Sequence, residues 1–305
     1  MMNTHESAIA SVPPVRQPAR GRKKRGLTQK IGFAALAACM AANIFFLGAI
    51  IFFIGLKGLG AINWAFLTQA PRDAMTAGGV APAIVGTLYL TLGAIMFALP
   101  LGVASAVYLT EYSPKGWIVN LLRVSVNNLA GVPSVVFGLF GLTVFVKYMG
   151  FGVSIISGSL TLGILALPVI ISASQEALVA VPQSIREASL ALGATQWETI
   201  RKVVLPAALP GILTGVILSV GRVAGETAPI LFTAAAFYVK GYPDSPFSEV
   251  MALPYHIYAL MTEGTHPEEQ TRIAYGSSLI LLALVLSVSM IAIFIRQRQR
   301  KTYHA

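Results

Sequence analysis

Residues 31–56 form an apolar run of 26 residues in which the only amide or charged side chain is Asn43. A bilayer's hydrocarbon core is about 30 Å thick, and a helix rising about 1.5 Å per residue crosses it in roughly 20 residues. Lipid offers no partner for a backbone N–H or C=O, so only helices and closed barrels cross it. The run therefore predicts a spanning α-helix. Apolar stretches recur at residues 82–109, 124–149, 153–178, 210–238 and 275–295, which predicts an all-α polytopic membrane protein with six transmembrane helices. At 55% hydrophobic and 11% charged, the chain is too apolar for a soluble domain of 305 residues.

Between and beyond these runs the sequence is polar. Residues 1–30 contain prolines and RGRKKRG, too polar to bury a core, and read as a disordered basic tail; residues 296–305, with RQRQRK, read as a second. Trp64 and Phe66 in NWAFL suit a segment lying at the membrane surface, or a plain connector, and residues 110–123 form a short polar turn holding Glu111, Lys115 and Arg123. Pro100 and Pro168 lie inside spans, where neighbouring helices can satisfy the freed backbone groups, and Gly131, Pro133 and Gly138 break the third run. Within residues 239–274, FSEVMALPYHIYALM reads as a half-buried surface helix, and its lone His256 as structural.

Charge fixes the orientation. Sixteen of the 22 Lys and Arg residues fall in the two tails and in residues 110–123 and 179–209. Five fall on the opposite side, and Arg222 lies within a span. The positive-inside rule then puts both termini and the loop at 181–210 in the cytoplasm, and residues 239–274 outside. The net charge of +10 reports this topology and not nucleic-acid binding, because the cations sit at the ends of apolar runs.

Much familiar chemistry is missing from the sequence. Cys39 is the single cysteine, so no disulfide can form within the chain. It sits in LAAC, but the apolar run continues past it to Leu56, unlike a cleaved leader. There is no GxxxxGK[ST], HExxH, CxxC or GxSxG, and the histidines at 5, 256, 266 and 304 are scattered. No cofactor, metal or catalytic residue is expected in this chain. What remains is a channel, an ion-coupled carrier, or the membrane half of a machine powered by another subunit.

Two charges lie in the fifth run. Arg222 and Glu226 are one helical turn apart in GRVAGETAPILF. If the membrane is entered at Pro210, Arg222 stands near its middle, where a charge costs about 2.5–3.5 kcal/mol on insertion scales. Either the two are a structural ion pair, or Arg222 lines an anion path, with Glu226 orienting it or accepting a proton from a protonated oxyanion and Thr227 beside them. Cheaper packing devices are at hand in the small-xxx-small spacings of Gly211 with Gly215 and of Gly221 with Gly225.

The loop before this run narrows the choice. Glu187, Ala188 and Gly193, then nine residues, then Val203, Leu205 and Pro206 resemble the EAA loop of ABC importer permeases; Ser189 and Val203 are mild departures. Two short helices hinged at Gly193, a residue free to take positive φ, could sit in a groove of an ATPase with Glu187 making the polar contact. GGVAPAIVGTLYLTL, NNLAGVPSVVFGLFGL, GRVAGETAPILFTAAAF and ALPYHIYAL extend the likeness over residues 78–300, which resemble the PstA-type permease of phosphate importers. The resemblance implies an ABC importer permease fold and phosphate transport tied to Arg222 and Glu226. It also implies partners: a PstC-type second permease, a dimeric PstB-type ATPase holding ATP and Mg, and a PstS-type extracytoplasmic phosphate-binding protein. Ser172 stands where many family members carry an Arg, so the sister permease would supply any further cation. The alternatives are a permease for sulfate or molybdate, or an ion-coupled carrier, which would be expected to show paired broken helices in two repeats.

Overall fold

Apolar runs become helices here because a backbone without water must pair its own polar groups. The computed structural model describes residues 21–113, 116–239 and 241–303. In order they form α1 (Gly21–Gly58), α2 (Trp64–Thr68), a small antiparallel hairpin of β1 (Pro71–Arg72) and β2 (Ala77–Gly78), α3 (Ala81–Val107), α4 (Trp117–Leu129), α5 (Ser134–Gly141) and α6 (Ile155–Val179). There follow α7 (Gln183–Ala191), α8 (Gln196–Thr199), α9 (Leu205–Gly225), α10 (Ala228–Thr233), α11 (Leu253–Thr262) and α12 (Pro267–Tyr303). Turns of π-helix prolong α3 over Tyr108–Tyr112, prolong α5 over Leu142–Tyr148, and join α8 to α9 over Ile200–Val204. The protein is all-α in class, as its sequence predicts.

Five stretches are individually long and apolar enough to cross a membrane: Gln29–Ala61, Ala81–Tyr112, Ile155–Val179, Gln196–Gly225 and Pro267–Arg298. The third predicted span takes another shape. There α4 meets α5 and its π extension at 101°, and the total reaches six only when this bent pair counts as one span. Pro133, at φ −57° and ψ 138°, has no N–H to give the preceding turn and turns the chain out of the helix. α4 also begins at Trp117, inside the stretch that reads as a polar turn.

Helix ends and membrane ends do not coincide. α1 starts at Gly21, so the second part of the predicted 1–30 tail is helix, while residues 1–20 lie outside the described residues. The described residues up to 53 and those from 54 on fall into two compact units, and in the first the described side chains of α1 are exposed, as suits a helix facing lipid. α12 starts at Pro267 and runs to Tyr303, so most of the predicted 296–305 tail is helical too. Its extra first turn carries Glu268 and Glu269, which complement the helix dipole, and the His266 N–H donates to Gln270 Oε1 at 2.9 Å. Polarity marks where lipid stops, but only a cap stops a helix.

In the second unit α3 packs along α6, α6 along α9, and α9 along α12. Leu90, Ala94, Leu162, Ala166, Ile170 and Val223 form the centre of one buried cluster. The first predicted glycine pair works as expected: a Cβ at Gly211 would lie 2.5 Å from that of Ala177 on α6, and one at Gly215 would meet Ala173 as closely. The second pair does not; a Cβ at Gly221 would have a neighbour only at 4.0 Å and one at Gly225 none within 4 Å. α11 is more than half-buried, with Leu253, Tyr255, His256, Ala259 and Leu260 inside and the Leu253 N–H donating to Thr87 Oγ1 at 2.8 Å. In α2, Asn63 Oδ1 caps the helix by accepting from the Phe66 N–H at 2.8 Å, burying Phe66 and leaving Trp64 79% exposed.

Candidate functional site

The loop predicted over 181–210 folds as the two hinged helices that its sequence implies. α7 and α8 are separated at Gly193, whose φ of +83° belongs to the left-handed region that glycine enters without strain. α8 opens with a capping box: Thr195 Oγ1 accepts from the Glu198 N–H, and Glu198 accepts from the Thr195 N–H. Lys202 Nζ pairs with Glu198 at 3.1 Å. The loop is shorter than predicted, because Leu205 and Pro206 already belong to α9, which continues directly from the π turn of Ile200–Val204.

Glu187, Ala188 and Gly193 are exposed, and so are large apolar side chains around them: Leu192 at 89%, Trp197 at 57% and Leu190 at 48%. A polar loop that holds such residues in the open presents a surface suited to another macromolecule.

At its other end α9 stops earlier than predicted. Glycine at 225 and an extended Glu226 (φ −73°, ψ 127°) end the helix, and α10 starts afresh with Pro229 in its first turn. The predicted 210–238 helix is therefore broken. Arg222 lies not in mid-helix but in the last turn of α9, where a cation meets the negative end of the dipole. Arg222 Nε stands 3.5 Å from Glu226 Oε1, with the two side chains 35% and 18% exposed. Thr227 is the N-cap residue of α10. The break rests on α5: a Cβ at Gly138 would come within 3.0 Å of the Ala228 carbonyl oxygen and of Pro229 Cα. All three residues predicted for the substrate path thus meet at one break, held by a pair too long and too open to be a fully satisfied bridge.

Sequence reasoning missed a second ion pair. Arg186 Nη2 donates to Glu111 Oε1 at 3.0 Å and to the Leu178 carbonyl at 2.7 Å, while its Nη1 donates to the Val181 carbonyl. The two charged side chains are only 13% and 11% exposed. Glu111 and Arg186 are 75 positions apart, so no spacing rule could join them. Ser172 on α6 is half-buried. His256, predicted to be structural, has neither ring nitrogen hydrogen-bonded, and burial pushes its pKa down to about 4.

Known proteins agree with this architecture. Residues 98–301 match the family described as binding-protein-dependent transport system inner membrane component, and the chain belongs to it. It is a multi-pass permease subunit of an ABC importer, a transport component that works with a second permease, a binding protein and a separate chain that hydrolyses ATP. It is similar to the probable ABC transporter permease protein YqgI of Bacillus subtilis, at 33% identity over 88% of this chain and 95% of that one. It is also similar to phosphate transport system permease protein PstA 1 of Mycobacterium tuberculosis, at 38% identity over 76% of this chain and 75% of the other. Among solved structures, a bacterial alginate ABC transporter bound to its pentasaccharide-loaded periplasmic protein has a chain of like fold, with TM-score 0.64 and 16% identity over 90% and 96% of the two chains. The MetNI methionine ABC transporter, in an inward-facing conformation, has another, with TM-score 0.58 and 22% identity over 71% and 94%.

Proposed function

We propose that this chain is the PstA-type permease of an importer for inorganic phosphate, oriented with both termini in the cytoplasm. Its partners are then a PstC-type permease, two copies of a PstB-type ATPase that bind ATP and Mg, and a PstS-type extracytoplasmic phosphate-binding protein. The observation that carries the reading is Arg222 at the break between α9 and α10, half-open and only loosely held by Glu226. A guanidinium presents a planar fork of donors that fits a tetrahedral oxyanion, and a pair already at 3.5 Å gives up little when an anion takes Glu226's place. Relatives named as phosphate permeases, from Mycobacterium leprae at 35% identity and Yersinia pestis at 38%, support the choice of anion.

In this reading the exposed face of α7, with Glu187, Ala188 and Gly193, seats in the ATPase, and Leu205 and Pro206 pass its closure into α9. The excess of Lys and Arg on that side supports putting the loop on the ATP side. Ser172 supplies no second cation, so the sister permease completes the anion's surroundings.

Uptake of labelled phosphate by vesicles holding the reconstituted complex tests the reading, with unlabelled sulfate and molybdate as competitors. Phosphate uptake that needs ATP and the binding protein, and that excess sulfate leaves alone, is expected. Competition by sulfate or molybdate at equal concentration would assign the chain to another oxyanion.

A further inference from the structure

The coupling loop is joined through the chain to α6 and to α9, but α3 has no such link to it. α3 packs against α9 and the π turn before it through Ala106, Val204 and Ala208, and its polar tie to the loop itself is Glu111, in the π turn that ends it. Glu111 receives Arg186 Nη2 at 3.0 Å on its carboxylate and Gln196 Nε2 at 2.9 Å on its carbonyl. Arg186 also holds the carbonyls of Leu178 and Val181, the last residues of α6 and its turn. One guanidinium therefore ties together the end of α6, the first helix of the loop and the end of α3. Its fork is used in three directions, and both charges are nearly buried.

We propose that Arg186 is a positioning residue for energy coupling: through Glu111 it makes Tyr108–Tyr112 follow the loop, so that ATPase closure moves α3 together with α9. This rests on the reading of the loop as the ATPase contact. Three features favour a moving link over a static staple. The π turn loosens the α-helical ladder at the point of attachment, and such turns recur at functional positions. A second π turn, Ile200–Val204, stands where the loop enters α9, so both helices that receive the motion have the same weak point. A cavity of about 600 Å³ lined by Thr110, Glu111, Gln183, Arg186 and Gln196 lies beside the pair, giving its side chains room to travel.

Hydrogen exchange on the purified complex, with and without Mg-ATP and vanadate, tests the link whatever the transported anion is. In the wild type, nucleotide should change protection in residues 183–199 and in residues 105–113 together. Glu111→Gln keeps the shape and removes the charge; it should leave the loop's response in place and shrink that of 105–113 by roughly 2- to 30-fold. Arg186→Lys keeps the charge but loses the fork, and should fall between; it also decides the matter if the Glu111 variant fails to assemble. Transport per ATP hydrolysed should fall in the same order while the ATPase stays bound and the loop still responds, a split that a merely structural role would not produce. An equal response of 105–113 in both variants would overturn the link, as would silence there in the wild type while the loop responds. Silence of the loop itself would instead overturn its assignment as the ATPase contact.

Discussion

The two ends of α9 are built differently. At its start the helix is seated against α6 through Gly211 and Gly215, and the neighbouring Arg186–Glu111 pair is short, nearly buried and shared with two helix-end carbonyls. At its far end Gly221 and Gly225 have no close neighbour, and Arg222–Glu226 is longer, three times as open at the arginine, and placed where the helix stops. A nearly buried charge held by three hydrogen bonds keeps its partners together when one of them moves, whereas one that is half-open and loosely paired has donors to offer an anion. On the proposed function, mechanical and chemical duties are separated along one helix.

The largest effect that would break the contrast lies at the open end. Arg222→Gln should lower ATP-dependent phosphate uptake on the order of a hundredfold, the loss of one or two charge-assisted hydrogen bonds, while the complex still assembles. Uptake within a fewfold of wild type would mean that the open pair is structural after all. Glu187→Ala, at the exposed loop, should weaken co-purification of the ATPase or separate hydrolysis from transport by roughly tenfold, in the range of a surface hot spot. Unchanged docking with unchanged transport would remove α7 from the contact.

Packing gives the next contrast. Gly215→Leu should destabilise the solubilised chain by about 1–3 kcal/mol, because its side chain must displace Ala173 on α6. Gly225→Ala, where a Cβ meets nothing, should stay within about 0.5 kcal/mol. Equal losses in thermal unfolding would erase the difference between the two ends.

A pH series measures a third region that belongs to neither. His256 on α11 stays neutral in the folded protein, with a pKa of about 4, while the unfolded chain takes up its proton near the ordinary value of about 6.5. Between those values the unfolded state binds the extra proton, so stability is lost as pH falls, by on the order of 2 kcal/mol from pH 7 to 5. His256→Phe should flatten that slope without moving the effects at either end of α9; a slope that persists would place the titration elsewhere.

Much of this was legible in the residues. Long apolar runs dictate helices in lipid whatever surrounds them, and the hinge at Gly193 follows from a local need for positive φ. The residues proposed for coupling follow a short-range spacing, so they could be read in line. Harder to read were the turns where one proline or glycine competes with an apolar run. Pro133 bends α4 from α5 by 101°, and Gly225 ends α9 although hydropathy continues past it. Hydropathy integrates over some 20 residues, while a break needs only two or three.

The sequence by itself determined the class of protein, its helices and the two-helix loop hinged at Gly193, because each depends on residues within a few turns of one another. Only the tertiary structure decided that Arg222 sits at a helix end, that the break beyond it rests on α5, that one glycine pair packs and the other does not, and that Arg186 reaches Glu111. Those facts depend on which distant backbones approach, and no local pattern of side chains encodes a contact across 75 residues.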